Sequence, residues 1–207
     1  LAWAAVLVVA GLAAAFALRL SFGIAAASYV APVILYSRAL KHVVIIDVMV
    51  IAIGFVLRAV AGGLVIGVPI SDWLLVCTIL GALFLGLAKR RHELTLLADG
   101  ATGHRRILEE YDPYLLDQMI AVVAAATLVA YIIYCASPET SEKFGTQWLV
   151  LTTPFPIYGI FRYLYLVHRK HGGGSPSDML LRDRPLLGCV GLWGLAVILI
   201  IYRPYAS

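Results

Sequence analysis

Seven long apolar runs, at about 3–22, 24–37, 43–67, 73–88, 114–136, 146–167 and 186–202, limit what this chain can fold into more than any other feature. A helix needs about 20 apolar residues to cross roughly 30 Å of hydrocarbon, and most of the runs reach or approach that length. Hydrocarbon offers backbone groups no hydrogen-bond partner, so only helices or a closed barrel can span it. Barrel strands alternate apolar and polar residues over about ten positions, and these runs are unbroken. The composition agrees. Of 207 residues, 62% are hydrophobic and 14% charged, against roughly 25% charged in a soluble domain. The fold class expected is therefore all-α, a polytopic membrane helical bundle. The second run is short and ends at Tyr36, so it is expected to tilt or to be partly buried by its neighbours.

Loop charges then suggest an orientation, because basic residues concentrate on the cytoplasmic side. Arg38, Lys41 and His42 follow the second run. Lys89, Arg90, Arg91, Arg105 and Arg106 follow the fourth, and Arg169, Lys170, Arg182 and Arg184 the sixth. The intervening connections hold Arg19, Asp72 and the group Glu139, Glu142 and Lys143. Basic and non-basic connections alternate, which places Leu1 on the cytoplasmic side of the cell membrane and the C-terminal end outside. Two connections, about 89–113 and 168–185, are long enough to carry function, and a short amphipathic helix is expected from Arg105 to Tyr111. Cys77, Cys135 and Cys189 lie inside apolar runs without metal-ligand spacing and read as small core hydrophobes. The chain opens at Leu1 inside an apolar run with no basic stretch before it, and is expected to be a segment of something longer.

Three groups of residues stand out for their chemistry. Tyr36-Ser-Arg-Ala-Leu-Lys41 is a short basic hinge. Such loops usually only anchor topology, but one this short holds Arg38 and Lys41 close to the membrane, where they suit an anionic headgroup or phosphate. Asp47 and Arg58 lie within the third run, and ionisable groups at that depth usually face a cavity or a partner. Eleven residues make about three helical turns and roughly 16 Å, so a polar cavity along one helix face is expected to serve both. Arg162, in the sixth run, either lines the same cavity or snorkels to the interface. Lys89-Arg-Arg-His-Glu93 is the most informative group. Cations alone would mark the end of a membrane segment, whereas a carboxylate among them orients them or holds Mg²⁺ against a phosphate. His92 reads as a solvated neighbour rather than a catalyst. His171-Gly-Gly-Gly174 lacks an accompanying nucleophile elbow and reads as a flexible loop, while Asp178, Arg182, Asp183 and Arg184 form a mixed-sign cap before Pro185.

Tyr36-Ser-Arg-Ala-Leu-Lys41, followed by a run carrying Asp47, Arg58 and Ala61-Gly62-Gly63, resembles the middle of the UbiA superfamily of intramembrane prenyltransferases. That resemblance implies nine helices around a cavity open to the cytoplasm, with two Asp-rich motifs binding Mg²⁺-diphosphate. The first motif, of N-D-x-x-D type, is absent, since the chain contains no Asn. The expectation is a single transmembrane catalytic domain over 1–207, with seven of nine helices, lacking the first two helices and that motif. Where the second motif belongs stands Lys89-Arg-Arg-His-Glu93. Together with His104-Arg-Arg-Ile-Leu-Glu-Glu-Tyr-Asp-Pro-Tyr-Leu-Leu-Asp117 and Gly173-Gly-Ser-Pro-Ser-Asp178…Asp183-Arg-Pro185, it resembles one branch, the decaprenyl-phosphate phosphoribosyltransferases.

The branch implies attack of decaprenyl (polyprenyl) phosphate on C1 of 5-phosphoribosyl-1-diphosphate (PRPP), yielding a lipid-linked phosphoribose used for cell-wall arabinan. It also implies Mg²⁺ as cofactor, with its main ligands in the absent motif. By position, Tyr36, Arg38, Lys41 and Arg58 are expected to contact donor or lipid phosphate. Lys89, Arg90, Arg106 and Arg162 join them as substrate-binding cations, and Lys89 with Glu93 is the catalytic pair. Two rivals remain at this stage. A UbiA-type enzyme acting on an aromatic acceptor would carry D-x-x-x-D where Lys89–Glu93 stands, and a small-solute transporter usually shows an internal repeat, which this sequence lacks. Cysteines introduced near Glu142 and Ser207 are expected to react with an impermeant label added outside intact cells, while those near Gly100 and Gly173 stay protected; labelling at Gly100 would overturn the orientation.

Overall fold

The computed structural model describes residues 2–98, 110–169 and 176–202, and among them there is no strand. The helices are α1 (Ala2–Leu18), α2 (Leu20–Arg38), α3 (Ile46–Ile66), α4 (Asp72–Ala98), α5 (Pro113–Ala136), α6 (Pro138–Phe144), α7 (Pro154–Arg169), α8 (Pro176–Arg182) and α9 (Arg184–Ile201). Two 3₁₀ turns, Leu40–His42 and Trp148–Thr152, stand before α3 and α7. Every apolar run is occupied by helix, and the all-α membrane-bundle reading holds.

Among the described residues, five helices are long and apolar enough to cross a membrane: α2, α3, α5, α9 and the Asp72–Thr95 part of α4. The first and sixth runs yield shorter pieces, and the cause is local. Arg19 is extended (φ −163°, ψ 134°), which splits the first run into α1 and α2. Pro154 and Pro156 have no N–H to donate, so after its 3₁₀ turn the sixth run becomes α-helical only from Pro154 onward, where the first turn leaves its N–H groups unpaired in any case. The fourth run behaves in the opposite way. The sequence reading ended this helix at 88 and put Lys89–Glu93 in a loop, whereas α4 continues to Ala98. From Leu87 to Ala98 the chain has neither Gly nor Pro, and Lys, Arg, Glu and Leu favour helix. The amphipathic helix expected from Arg105 falls almost wholly outside the described residues.

The chain forms two compact units, residues 1–83 and 84–207. In the first, α2 packs against both α1 and α3. Gly23 of α2 lets the Phe16 ring lie against it, since a Cβ there would sit 2.3–2.7 Å from that ring and force it to shift. Arg19 donates to the Leu64 carbonyl at 2.9 Å, at the end of α3 that Gly67 closes in the left-handed conformation. The connection after α1 and the end of α3 therefore share one end of the unit, as the charge alternation requires. At the opposite end of α3, the Ile46 N–H donates to the Val44 carbonyl at 2.7 Å around Ile45, whose φ is 68°. This tight three-residue turn puts a β-branched side chain where L-residues are strained.

In the second unit α7 packs on α9, with α5 contributing the buried Leu116, Ile120 and Cys135. Three helices here begin in the same way. Asp112, Ser137 and Asp183 accept from the backbone N–H of Leu115, Thr140 and Leu186, and a proline follows within two residues each time. The acceptor satisfies an unpaired N–H and the proline brings none of its own. Inside the unit, Trp193 Nε1 donates to the Tyr131 hydroxyl at 2.8 Å, Tyr131 and Thr152 share a 2.6 Å hydrogen bond, and the Thr152 hydroxyl reaches the Leu149 carbonyl. Asp183 also accepts from Nε and Nη2 of Arg162, at 3.1 and 2.9 Å. Asp183→Asn keeps a capping oxygen and Asp183→Ala does not, so thermal unfolding in detergent is expected to show the alanine variant less stable than the asparagine by about 1 kcal/mol; equal stability would show that the cap contributes nothing.

Candidate functional site

In the first unit the sequence-selected residues lie on the hinge between α2 and α3 and on α3 itself. Arg38 closes the last turn of α2 and is exposed, and Lys41 sits half-buried in the 3₁₀ turn. Tyr36 and Arg58 line one cleft of about 130 Å³, together with Tyr29, Pro32, Gly54 and Phe55. There the Arg58 guanidinium is hydrogen-bonded to the Tyr29 hydroxyl and lies 4.9 Å from the Tyr29 ring centre and 5.4 Å from that of Phe55. Two rings and a hydroxyl hold the cation without neutralising it, which leaves its charge available to an anion.

Asp47 does not belong to that cleft. The sequence reading placed Asp47 and Arg58 along one cavity, but Asp47 is 0% exposed and is absent from the cleft lining. It occupies the first turn of α3, where the positive end of the helix dipole favours a carboxylate.

In the second unit the continuation of α4 turns Lys89–Glu93 into one helical turn with distinct faces. Lys89 is exposed, and among the described residues it meets no carboxylate. Arg90 is 3% exposed and donates to Glu93 at 2.5 Å. Arg91 makes a forked contact with Asp117 of α5, Nε to Oδ1 at 2.9 Å and the second nitrogen to Oδ2 at 3.4 Å, and also donates to Thr95 at 2.9 Å. His168, near the end of α7, stands 3.3 Å from the same carboxylate. The ends of α4, α5 and α7 thus meet in one charged cluster, which sequence reasoning did not find. The available signal was Asp117 at the close of the motif that begins at His104, but its partners are 26 and 51 residues away. Arg162 is taken up by Asp183, within 5.3 Å of the Tyr165 ring. Arg106 lies outside the described residues.

The same unit holds an apolar cavity of about 550 Å³, with Phe84, Tyr131, Phe155, Tyr163, Cys189 and Trp193 among its walls. The polar atoms of Tyr131 and Trp193 are already satisfied by each other and by Thr152, so what the cavity offers is hydrocarbon contact. Among the described residues no group of three or more His, Cys, Asp or Glu is placed to hold a metal ion.

No protein-family model matches the chain. Individual relatives do. The chain is 31% identical to a decaprenyl-phosphate phosphoribosyltransferase of Mycolicibacterium smegmatis, across 94% of the chain and 64% of the relative. It is 32% identical to the enzyme of that name from Mycobacterium tuberculosis, across 88% of the chain and 59% of the relative. The Corynebacterium glutamicum protein of the same name is 30% identical, across 84% and 52%. The chain is similar to decaprenyl-phosphate phosphoribosyltransferases over most of its length. It spans between about half and two thirds of the length of these curated relatives. The likeness runs through both units, and so takes in the Arg58 cleft as well as the Lys89–Glu93 turn.

Proposed function

We propose that the protein containing this chain is a membrane phosphoribosyltransferase that moves 5-phosphoribose from PRPP to a polyprenyl phosphate. The observation that carries this reading is the identity of 30–32% to decaprenyl-phosphate phosphoribosyltransferases over 84–94% of the chain. In the reaction, a phosphate oxygen of the lipid forms a bond to C1 of the ribose as the bond from C1 to the diphosphate oxygen breaks, and diphosphate leaves. The lipid phosphate is already anionic at neutral pH, so the attack needs no general base. What the reaction needs is fixed positive charge, because both reactants are anionic and the leaving group gains charge.

The cations divide accordingly. Lys89, exposed on its turn, holds the diphosphate or 5-phosphate of the donor. Arg90 belongs to the same turn, with Glu93 fixing its guanidinium or orienting a ribose hydroxyl. Tyr36, Arg38, Lys41 and Arg58 serve donor or lipid phosphate on the first unit. The apolar cavity of the second unit suits hydrocarbon of the lipid chain. Magnesium belongs to the proposal through the family resemblance alone, and no step above is routed through it. The reading extends to a cell-membrane location, a cytoplasm-facing site and a product destined for cell-wall arabinan. The aromatic-acceptor and transporter alternatives have less support, since neither accounts for the likeness to phosphoribosyltransferases.

The test is initial rate against PRPP concentration at saturating polyprenyl phosphate, using the full-length protein. Lys89→Ala is expected to lower kcat/KM roughly tenfold to hundredfold, the worth of one charged phosphate contact. Lys89→Arg is expected to restore activity only in part, because a planar fork replaces a point charge. Glu93→Gln is expected to cost activity with little change in thermal stability. Wild-type kinetics for both Lys89→Ala and Glu93→Gln would remove this turn from the active site, and absence of PRPP turnover by the wild type would overturn the reaction itself.

A further inference from the structure

We propose that Asp117 is a positioning residue for anion binding: through Arg91 it sets the rotation of the α4 turn that presents Lys89. The inference rests on the reading of that turn as a phosphate-binding element, and adds a residue to which no role had been given. Asp117 lies on α5, in the turn that holds the fully buried Leu116, so its backbone is anchored in the core of the unit. Its carboxylate takes Arg91 in a fork, with contacts of 2.9 and 3.4 Å. A fork constrains direction as well as distance, which a single contact does not. The third nitrogen of Arg91 is occupied by Thr95 at 2.9 Å, and the Thr95 hydroxyl in turn reaches the Arg91 carbonyl at 3.1 Å. The guanidinium is thus tied both to its own helix and to α5. His168 approaches the same carboxylate from α7, at 3.3 Å from Nε2, while its Nδ1 lies 2.9 Å from the Leu164 carbonyl.

Helix geometry turns this tie into a constraint on the neighbouring cations. Successive residues on α4 are separated by about 100° around the axis, so fixing Arg91 fixes the directions of Arg90 and Lys89 as well. A rotation of only about 20° would move a lysine ammonium, roughly 8 Å from the helix axis, by about 3 Å, enough to take it out of hydrogen-bonding range of a phosphate oxygen. Arg90 is already confined by burial and by Glu93. Lys89 has no comparable restraint of its own among the described residues, so its direction follows from the setting of the helix. Asp117 itself touches neither phosphate nor reacting atom in this scheme, and its effect is on where the cations stand.

Two measurements on the full-length protein in detergent test this. One is binding of inorganic diphosphate by calorimetry, and the other is KM and kcat for PRPP at saturating polyprenyl phosphate. Asp117→Asn is expected to weaken diphosphate binding about tenfold and to raise KM for PRPP by a similar factor, with kcat within about threefold of wild type. Asp117→Glu, which keeps the charge, is expected to recover most of the loss. Arg91→Gln is expected to match Asp117→Asn, and the double variant to be no worse than either alone, because residues acting as one unit do not lose energy twice. If Asp117→Asn does not fold, Arg91→Lys replaces it, with an intermediate loss expected because the fork is gone and the charge remains. Diphosphate binding unchanged in a folded Asp117→Asn, additive losses in the double variant, or no diphosphate binding by the wild type would overturn the inference. Should PRPP not turn over while diphosphate binding still depends on Asp117, the reaction assignment falls and the positioning role stands.

Discussion

Hydrocarbon offers the backbone no hydrogen-bond partner, and the architecture of both units follows from that constraint. Inside a helix the problem is solved by the helix itself, which is why the apolar runs need no particular sequence beyond their hydrophobicity. At the breaks it must be solved residue by residue. Arg19 leaves the helical conformation and its side chain takes up the Leu64 carbonyl at the end of α3. Asp112, Ser137 and Asp183 each satisfy an unpaired N–H at a helix start, with proline supplying a residue that has none to satisfy. Polar groups among the apolar residues of the second unit obey the same rule, as in the series from Trp193 through Tyr131 and Thr152 to the Leu149 carbonyl.

Charge is governed by the same scarcity of partners, and the cations fall into two sorts. Arg90, Arg91 and Arg162 have carboxylate partners in Glu93, Asp117 and Asp183. Arg38, Lys41 and Lys89 meet no carboxylate among the described residues, and Arg58 is held by aromatic rings and a hydroxyl. A forked guanidinium suits a fixed contact, and a lysine on a flexible stem suits a ligand that arrives and leaves. Arg91 and Arg162, tied to carboxylates on α5 and at the start of α9, therefore act as joints between helices, whereas Arg90 is tied within α4 and the cations without a carboxylate keep their charge for an anionic ligand.

Helical class, the position of the apolar helices and the grouping of basic residues were all legible from the amino-acid sequence. Each depends on local composition: apolar length decides what can cross a bilayer, and a basic cluster is visible wherever its residues are contiguous. The motifs at Tyr36–Lys41 and Lys89–Glu93 were equally legible, for they too are contiguous, and they pointed to the family that the similarity to phosphoribosyltransferases supports. Helix ends were read less well. Nothing in a hydropathy pattern shows that α4 carries its charged turn past the apolar run, since Lys, Arg and Glu end a membrane segment without ending a helix.

Partnership between distant residues was decided only in three dimensions. Eleven-residue spacing suggested a shared cavity for Asp47 and Arg58, but side-chain packing buried one at the start of α3 and turned the other toward Tyr29 on α2. Lys89 and Glu93 sit at the spacing of an ion pair, yet the carboxylate took Arg90, whose side chain is the buried one and loses most by staying unpaired. Asp117 looked like the last letter of a loop motif until folding brought Arg91 and His168 to it from 26 and 51 residues away. The sequence by itself determined which segments are apolar helices and where charge collects, because those properties are sums over neighbouring residues. Tertiary structure decided which charges are tied and which are left for a ligand, because that depends on what the long-range packing of helices places within about 3 Å.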